Sequence, residues 1–174
     1  VHLPFMRAGV DSETSHRGDW GASAVMFRIK HVQHAENGLF WGFNAEYDIN
    51  AKRYVADPRS IEFRGIVGFD AEHFRLTANP HLIWGFGRSD ASHVADFNID
   101  WKALHKLGKR FAWGAELYTD WGKVNELNPG RGDRTLYLVA ETETSFGSVH
   151  LGLGRGFQGT PEHTIVKAVW ATKF

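Results

Sequence analysis

The sequence predicts an all-β chain, an up-and-down antiparallel β-barrel of about ten strands, and three observations lead there. Apolar and polar residues alternate in one short segment after another, each long enough for a strand and too short for a helical repeat. Glycine, proline, asparagine and aspartate gather between those segments, where turn chemistry needs them. Tryptophan recurs on the apolar parity of the strands, while charged residues occupy the other parity near strand middles.

Taken in order, residues 2–10 make a first strand and 11–19 a polar loop with Gly18. The second strand, about 20–31, sets Val25, Phe27 and Ile29 against Met26, Arg28 and Lys30. The third is the clearest: Leu39, Trp41, Phe43, Ala45, Tyr47 and Ile49 alternate with Phe40, Gly42, Asn44, Glu46 and Asp48. After a loop with Asp57-Pro58, the fourth strand (61–69) puts Ile61, Phe63, Val67 and Phe69 opposite Glu62, Arg64, Ile66 and Gly68. A turn at 70–73 leads to the fifth (74–84), where Phe74, Leu76, Ala78, Leu82 and Trp84 oppose Arg75, Thr77, Asn79 and His81. Pro80 falls inside it and predicts a bulge, since proline cannot donate to a central ladder.

Strand six (93–103) sets Ala95, Phe97, Ile99 and Trp101 against Val94, Asp96, Asn98, Asp100 and Lys102, and 102–110 could add a helical turn. Strand seven (111–121) sets Phe111, Trp113, Ala115, Leu117 and Trp121 against Glu116, Tyr118 and Asp120. A breaker-rich loop, 122–133, carries Asn128-Pro129-Gly130 and Gly132. Strand eight (134–144), a tight turn at 145–148, the glycine-rich strand nine (149–157) and a last strand from His163 complete the chain. Turns centred between Ala71 and Glu72, and likewise between Phe146 and Gly147, pair Arg64 with Asn79, Glu62 with His81, Glu143 with His150 and Tyr137 with Gly156.

Composition sets the outer bounds. A chain of 174 residues suits a single domain, and 43% hydrophobic residues with 14% aromatics argue against disorder. There is no cysteine, hence no disulfide framework or thiolate metal site. Twenty basic residues balance twenty acidic ones, so no electrostatic footprint for nucleic acid is present. No long apolar run offers a transmembrane helix, and Val1 opens directly into a patterned segment without a signal peptide.

Alternation alone leaves the inside undecided, because a soluble ligand-binding barrel is apolar inward and an outer-membrane barrel is apolar outward. Trp41, Trp84, Trp101, Trp113, Trp121 and Trp170 share the apolar parity and fall near strand ends, as membrane-interface girdles do. Trp20 fits no such parity. Polar residues near strand middles (Arg28, Asn44, Glu46, Glu62, Arg64, Arg75, Asn79, Asp96, Asn98, Glu116, Glu141 and Lys167) are the expected lumen lining, because the large aromatics of the other face would overfill so narrow a barrel. With the C-terminus periplasmic, the connections 11–19, 50–60, 87–92, 122–133 and 158–162 fall outside. Those at 32–38, 70–73, 104–110 and 145–148 fall in the periplasm and are shorter as a set. The expected fold is therefore a transmembrane barrel in the outer membrane of a Gram-negative bacterium.

The final stretch HTIVKAVWATKF, with Trp170 and Phe174 on one face, resembles the closing strand of bacterial outer-membrane barrels, which implies the outer-membrane assembly machinery as a partner beside the lipid bilayer. Together with GLFWGFNAEYDIN, ANPHLIW, FAWGAELYTDWG and HLGLGRGF, it resembles a family of small proteobacterial outer-membrane β-barrel proteins without an assigned activity. The resemblance implies a barrel and a location, with no catalytic residues to carry over, and no cofactor is expected. Members continue further at the N-terminus, which would make twelve strands.

Chemistry finds little footing. Asp90, Ser92 and His93, or Glu162 with His163, could sit at a rim as outer-membrane enzymes require, but neither set forms a known motif. His31 and His34 are the one close histidine pair and lack a third ligand, so no metal is expected. Gly152, Gly154 and Gly156 lie on one strand face without a following helix, and read as space inside a narrow barrel instead of a nucleotide loop. The expected function is a porin-like transport conduit for small solutes or ions; the alternative is a plugged scaffold acting through its loops or a protein partner. On the inward parity Glu46, Asp48, Glu62, Asp96, Asp100, Glu116, Asp120, Glu141 and Glu143 outnumber Arg28, Lys30, Arg64, Arg75, Lys102 and Lys167, so a mildly anionic wall is expected, with Glu46 and Glu116 dominant.

Overall fold

The structure, a computed structural model, describes the backbone of residues 5–7, 24–33, 38–50, 59–86, 94–158 and 164–172, and the side chains of the same ranges from residue 31 onward except 50. Its strands are β1 (Phe5–Arg7), β2 (Ala24–Gln33), β3 (Gly38–Asn50), β4 (Arg59–Asp70), β5 (Phe74–Phe86), β6 (Asp96–Leu107), β7 (Phe111–Lys123), β8 (Arg134–Thr144), β9 (Gly147–Phe157) and β10 (Ile165–Ala171). All belong to one antiparallel sheet, hydrogen-bonded in sequence order from β1 to β10. No helix occurs among the described residues. In particular, β6 runs unbroken to Leu107, and its connection to β7 is only the turn at 108–110, with Gly108 at φ 71°.

The connections at one end are minimal: 71–73, 108–110 and 145–146. The connection described at the other end, 124–133, is longer, and is tied down by Val124 N donating to Ala95 O and Asp120 N to Asp133 O. These short turns shift the ladders from the expected registers. Arg64 stands opposite His81 and Glu62 opposite Ile83, because β4 continues to Asp70 and the reversal centres beyond Glu72. Tyr137 faces Gly154 and Glu141 faces His150, because the β8–β9 reversal is a two-residue turn at Ser145-Phe146, closed by Thr144 Oγ1 donating to Gly147 O at 2.7 Å. Both expected registers are off by two residues, and the facing parity survives the shift.

Pro80 makes no bulge. The β4–β5 ladder skips the rungs of Gly65 and Ile66 beside it and resumes unchanged at Val67↔Ala78. Gly65 leaves the pyrrolidine ring its room: an added Cβ there would stand 3.5 Å from Pro80 Cγ. The irregularity lies instead between Asp96 and Asn98 on β6, opposite the extra residue that β7 accommodates at Gly122 (φ 84°).

The two faces of the sheet are reversed relative to a soluble protein. Leu39 is 73% exposed and Leu138 66%, with Trp41, Phe43, Phe63, Val67, Trp101, Trp113, Leu151, Leu153 and Trp170 also exposed on that parity. The opposite parity is buried: Asn44 is 4% exposed and Glu116 5%, with Glu46, His81 and Asp100 alongside. Only strong curvature toward the polar face explains that burial. Lys167 on β10 reaches Glu116 on β7, three ladders away, and in a flat sheet those strands would stand roughly 14 Å apart with side chains projecting in parallel. Arg64 on β4 likewise reaches Asp100 on β6. Among the described residues no ladder joins β10 to β1, so the architecture is a curled, up-and-down sheet.

Large inward residues meet glycine across the ladder. Phe40 stands opposite Gly68, Ile66 opposite Gly42, Leu104 and Val139 opposite Gly114, and Tyr137 opposite Gly154. A Cβ on Gly68 would lie 2.2 Å from Phe40 Cζ, and one on Gly154 2.4 Å from the Tyr137 ring. On a tightly concave face each bulky side chain thus uses the volume a neighbour gives up.

Candidate functional site

The concave face carries two polar clusters. The first joins β4, β5 and β6. Arg64 Nε donates to Glu62 Oε1 and its Nη1 to Asp100 Oδ2, both at 2.6 Å, so one planar guanidinium bridges two carboxylates. His81 is packed beside them, Nδ1 being 3.1 Å from the Asn79 carbonyl oxygen and 3.8 Å from Asp100 Oδ2. A carbonyl only accepts, so that contact calls for the proton on Nδ1.

The second spans β6 to β10. Lys102 Nζ donates to Glu141 Oε1 and lies 3.0 Å from Glu116 Oε1. Lys167 Nζ donates to Glu116 Oε2 and, at 2.7 Å, to the Tyr118 hydroxyl, which itself donates to Glu116 Oε2 at 2.9 Å. The same ammonium lies 4.9 Å from the centroid of the Tyr118 ring and 4.8 Å from that of Tyr137. Those rings meet edge to face, 5.4 Å apart and 80° between planes. His150 completes the group, 3.4 Å from Glu116 and 3.7 Å from Glu141.

Of the residues expected to line a lumen, Asn44, Glu46, Glu62, Arg64, Asn79, Asn98, Glu116, Glu141 and Lys167 lie on this polar face away from full solvent exposure, and Asn44 Nδ2 donates to Glu46 Oε1. With its amide turned to satisfy both neighbours, Asn98 donates to Phe97 O and to Asp120 Oδ1. Arg75 and Asp96 stand nearer the rims: Arg75 pairs with Asp70 at 2.6 Å, where Lys106 joins it, and Asp96 with Lys123 at 2.7 Å. The backbone of Arg28 stands opposite Glu46, and its side chain is outside the described residues.

His81, Asp100, Lys102, Tyr118, Tyr137 and His150 are central to the clusters although the expected list of lining residues omits them. Asp100 and Lys102 figure in the sequence reading only through the charge balance of the inward parity. All six share the inward parity of their strands, which is the signal that would have found them.

Trp41, Trp113, Trp170, Trp84 and Trp121 lie toward the ends of their described strands, as expected. Trp101 does not, because β6 begins at Asp96 and ends at Leu107, which leaves Trp101 near its middle. There it edges an outer apolar hollow of about 460 Å³ with Phe69, Leu76, Ala78, Ala103, Ala115 and Leu117. Phe174 and Trp20, together with the rim candidates Asp90, Ser92, His93, Glu162 and His163, lie outside the described residues, as does His34. His31 packs with Trp41 and Phe43, on the apolar face.

Ligand atoms of Glu116, Glu141 and His150 come within 4.8 Å of one another, a grouping the sequence spacing did not expose. The ammonium groups of Lys102 and Lys167 already neutralise those carboxylates, so this donor set is matched to cations the chain itself supplies. No family model, curated protein or solved structure matches the chain.

Proposed function

We propose that the chain is an integral outer-membrane β-barrel whose narrow, charged lumen conducts small solutes or ions, cations in preference. The observation that carries this reading is the reversed burial: large apolar side chains from most strands are exposed on the outer face while Glu46, Asp100 and Glu116 are buried on the concave side. In water such an outer surface is costly; in lipid it is the required one. The aromatic residues toward strand ends, and short turns at one end against a longer loop at the other, support the same orientation. Closure of the sheet, contact with the assembly machinery through the last strand, and membership of the resembled family belong to this proposal.

A second reading, a scaffold with a plugged lumen working through its loops or a partner, draws on the side chains that cross the concave face. The Arg64–Asp100 and Lys167–Glu116 bridges occupy space a solute would need. Single-channel recording and liposome swelling with the purified protein separate the two. Small, cation-preferring currents without sugar uptake are expected. No current at any salt concentration would favour the scaffold, and a protein stable in water without detergent would overturn both.

A further inference from the structure

We propose that the corner formed by Tyr118, Tyr137 and Glu116 is a binding site for small organic ammonium ions, occupied in this structure by the chain's own Lys167. It deepens the conduit reading, on which it rests only for the route by which a cation arrives.

Two aromatic faces set almost at right angles, with a buried carboxylate at their base, are the elements that recognise a cation through ring quadrupole and charge together. Here both rings stand under 5 Å from one ammonium nitrogen, and Glu116 accepts from that same nitrogen. The corner is assembled from four successive strands: Tyr118 on β7, Tyr137 on β8, Gly154 and Gly152 on β9, and Lys167 on β10. The glycines are part of its construction. A Cβ at Gly154 would drive into the Tyr137 ring, and one at Gly152 would press on the Lys167 stem at 3.3 Å.

Lys167 is a tethered occupant on a flexible stem, and its strand is the last described in the sheet. Glu116 keeps Lys102 as a partner when Lys167 leaves, so withdrawal strands no isolated carboxylate. A methylated ammonium is the preferred class of visitor: it sheds water more readily than sodium or potassium and fills the ring corner with methyl groups.

The test uses the whole chain in detergent micelles, with tetramethylammonium and choline chlorides as probes, observed through their methyl proton NMR signals. Lys167→Met should bind either probe roughly tenfold more tightly than the parent protein. Tyr137→Leu added to that variant should abolish the gain, whereas Tyr118→Phe, which keeps the ring and loses the hydroxyl, should retain it. Lys167→Gln provides a second vacated cage, and circular dichroism confirms folding of each. Equal affinities for Lys167→Met with and without Tyr137→Leu, or no binding to either folded vacated variant, would overturn the site. Potassium currents in bilayers without ammonium binding in micelles would remove the cage and leave the conduit standing. Binding without current would do the reverse.

Discussion

The two polar clusters of the concave face differ in how charge is balanced. On β4–β6, one guanidinium answers two carboxylates, Glu62 and Asp100, with His81 beside them, so the group carries an excess of acid. On β6–β10, two ammonium groups answer Glu116 and Glu141, and two tyrosines close around one of them. The first is a short brace from β4 across β5 to β6. The second is a hub: Glu116 touches Lys102, Lys167, Tyr118 and His150, so one carboxylate fixes side chains from four strands. Loss of Asp100 leaves the Arg64–Glu62 pair intact, whereas loss of Glu116 leaves Lys167 with only a hydroxyl and two rings.

The largest change expected comes from the other face, and it tests whether the clusters are an interior at all. Phe43→Arg and Leu117→Arg should each destabilise the protein in lipid by roughly 2–4 kcal/mol, the range for arginine near the middle of a lipid-facing barrel wall. A folding titration in vesicles that shows no loss for both would put lipid elsewhere and make the clusters ordinary surface. Next comes the hub. Glu116→Gln should lower stability by about 3 kcal/mol, since truncating one partner leaves buried cations uncompensated. Asp100→Asn should have a smaller effect, about 1 kcal/mol, because Glu62 still holds Arg64. Denaturant unfolding in the same micelles compares them, and equal losses would erase the distinction between hub and brace.

The sequence revealed face and order far better than register. Period-two alternation survives any shift by two residues, so Glu62, Arg64, Glu116 and Lys167 share the concave polar face although the Tyr137 and Arg64 rungs differ from the expected ones. The registers depended on where each turn reverses, and a two-residue turn at Ser145-Phe146 moves every rung of β8–β9. The extension of β6 past Ala103 is hidden because the alternation fails there, Leu104 falling on the polar parity and His105 on the apolar one, and only the ladder with β7 shows the backbone continuing to Leu107. The hub was the least visible feature. Lys167 and Glu116 are 51 residues apart and meet because the sheet curls, a property of ten strands together and not of any local pattern.

A gentler change sharpens the tyrosine corner. Gly154→Ala places a methyl group 2.4 Å from the Tyr137 ring and should destabilise by about 1–3 kcal/mol through overpacking. Gly65→Ala, whose added carbon meets Pro80 at an ordinary 3.5 Å, should be nearly neutral. Adding Tyr137→Leu to Gly154→Ala should return part of the loss, and an additive result would show that the ring and the glycine do not share that volume.

The smallest effect concerns selectivity, where the clusters should differ in sign. Glu116→Gln leaves two lysines facing Glu141 alone, so that stretch of wall becomes net positive. Asp100→Asn leaves Arg64 and Glu62 as a neutral pair. In a potassium chloride gradient the parent protein should show a modest cation preference, Asp100→Asn a weaker one, and Glu116→Gln a shift toward chloride. All three should converge as salt rises, because a Debye length of about 10 Å at 0.1 M contracts to about 3 Å at 1 M and screens the wall from the path. Reversal potentials at low and high salt decide it. A Glu116→Gln value equal to the parent's at low salt, with Asp100→Asn shifted, would mean that ions do not pass the β6–β10 cluster, and that the path lies along the β4–β6 side of the concave face.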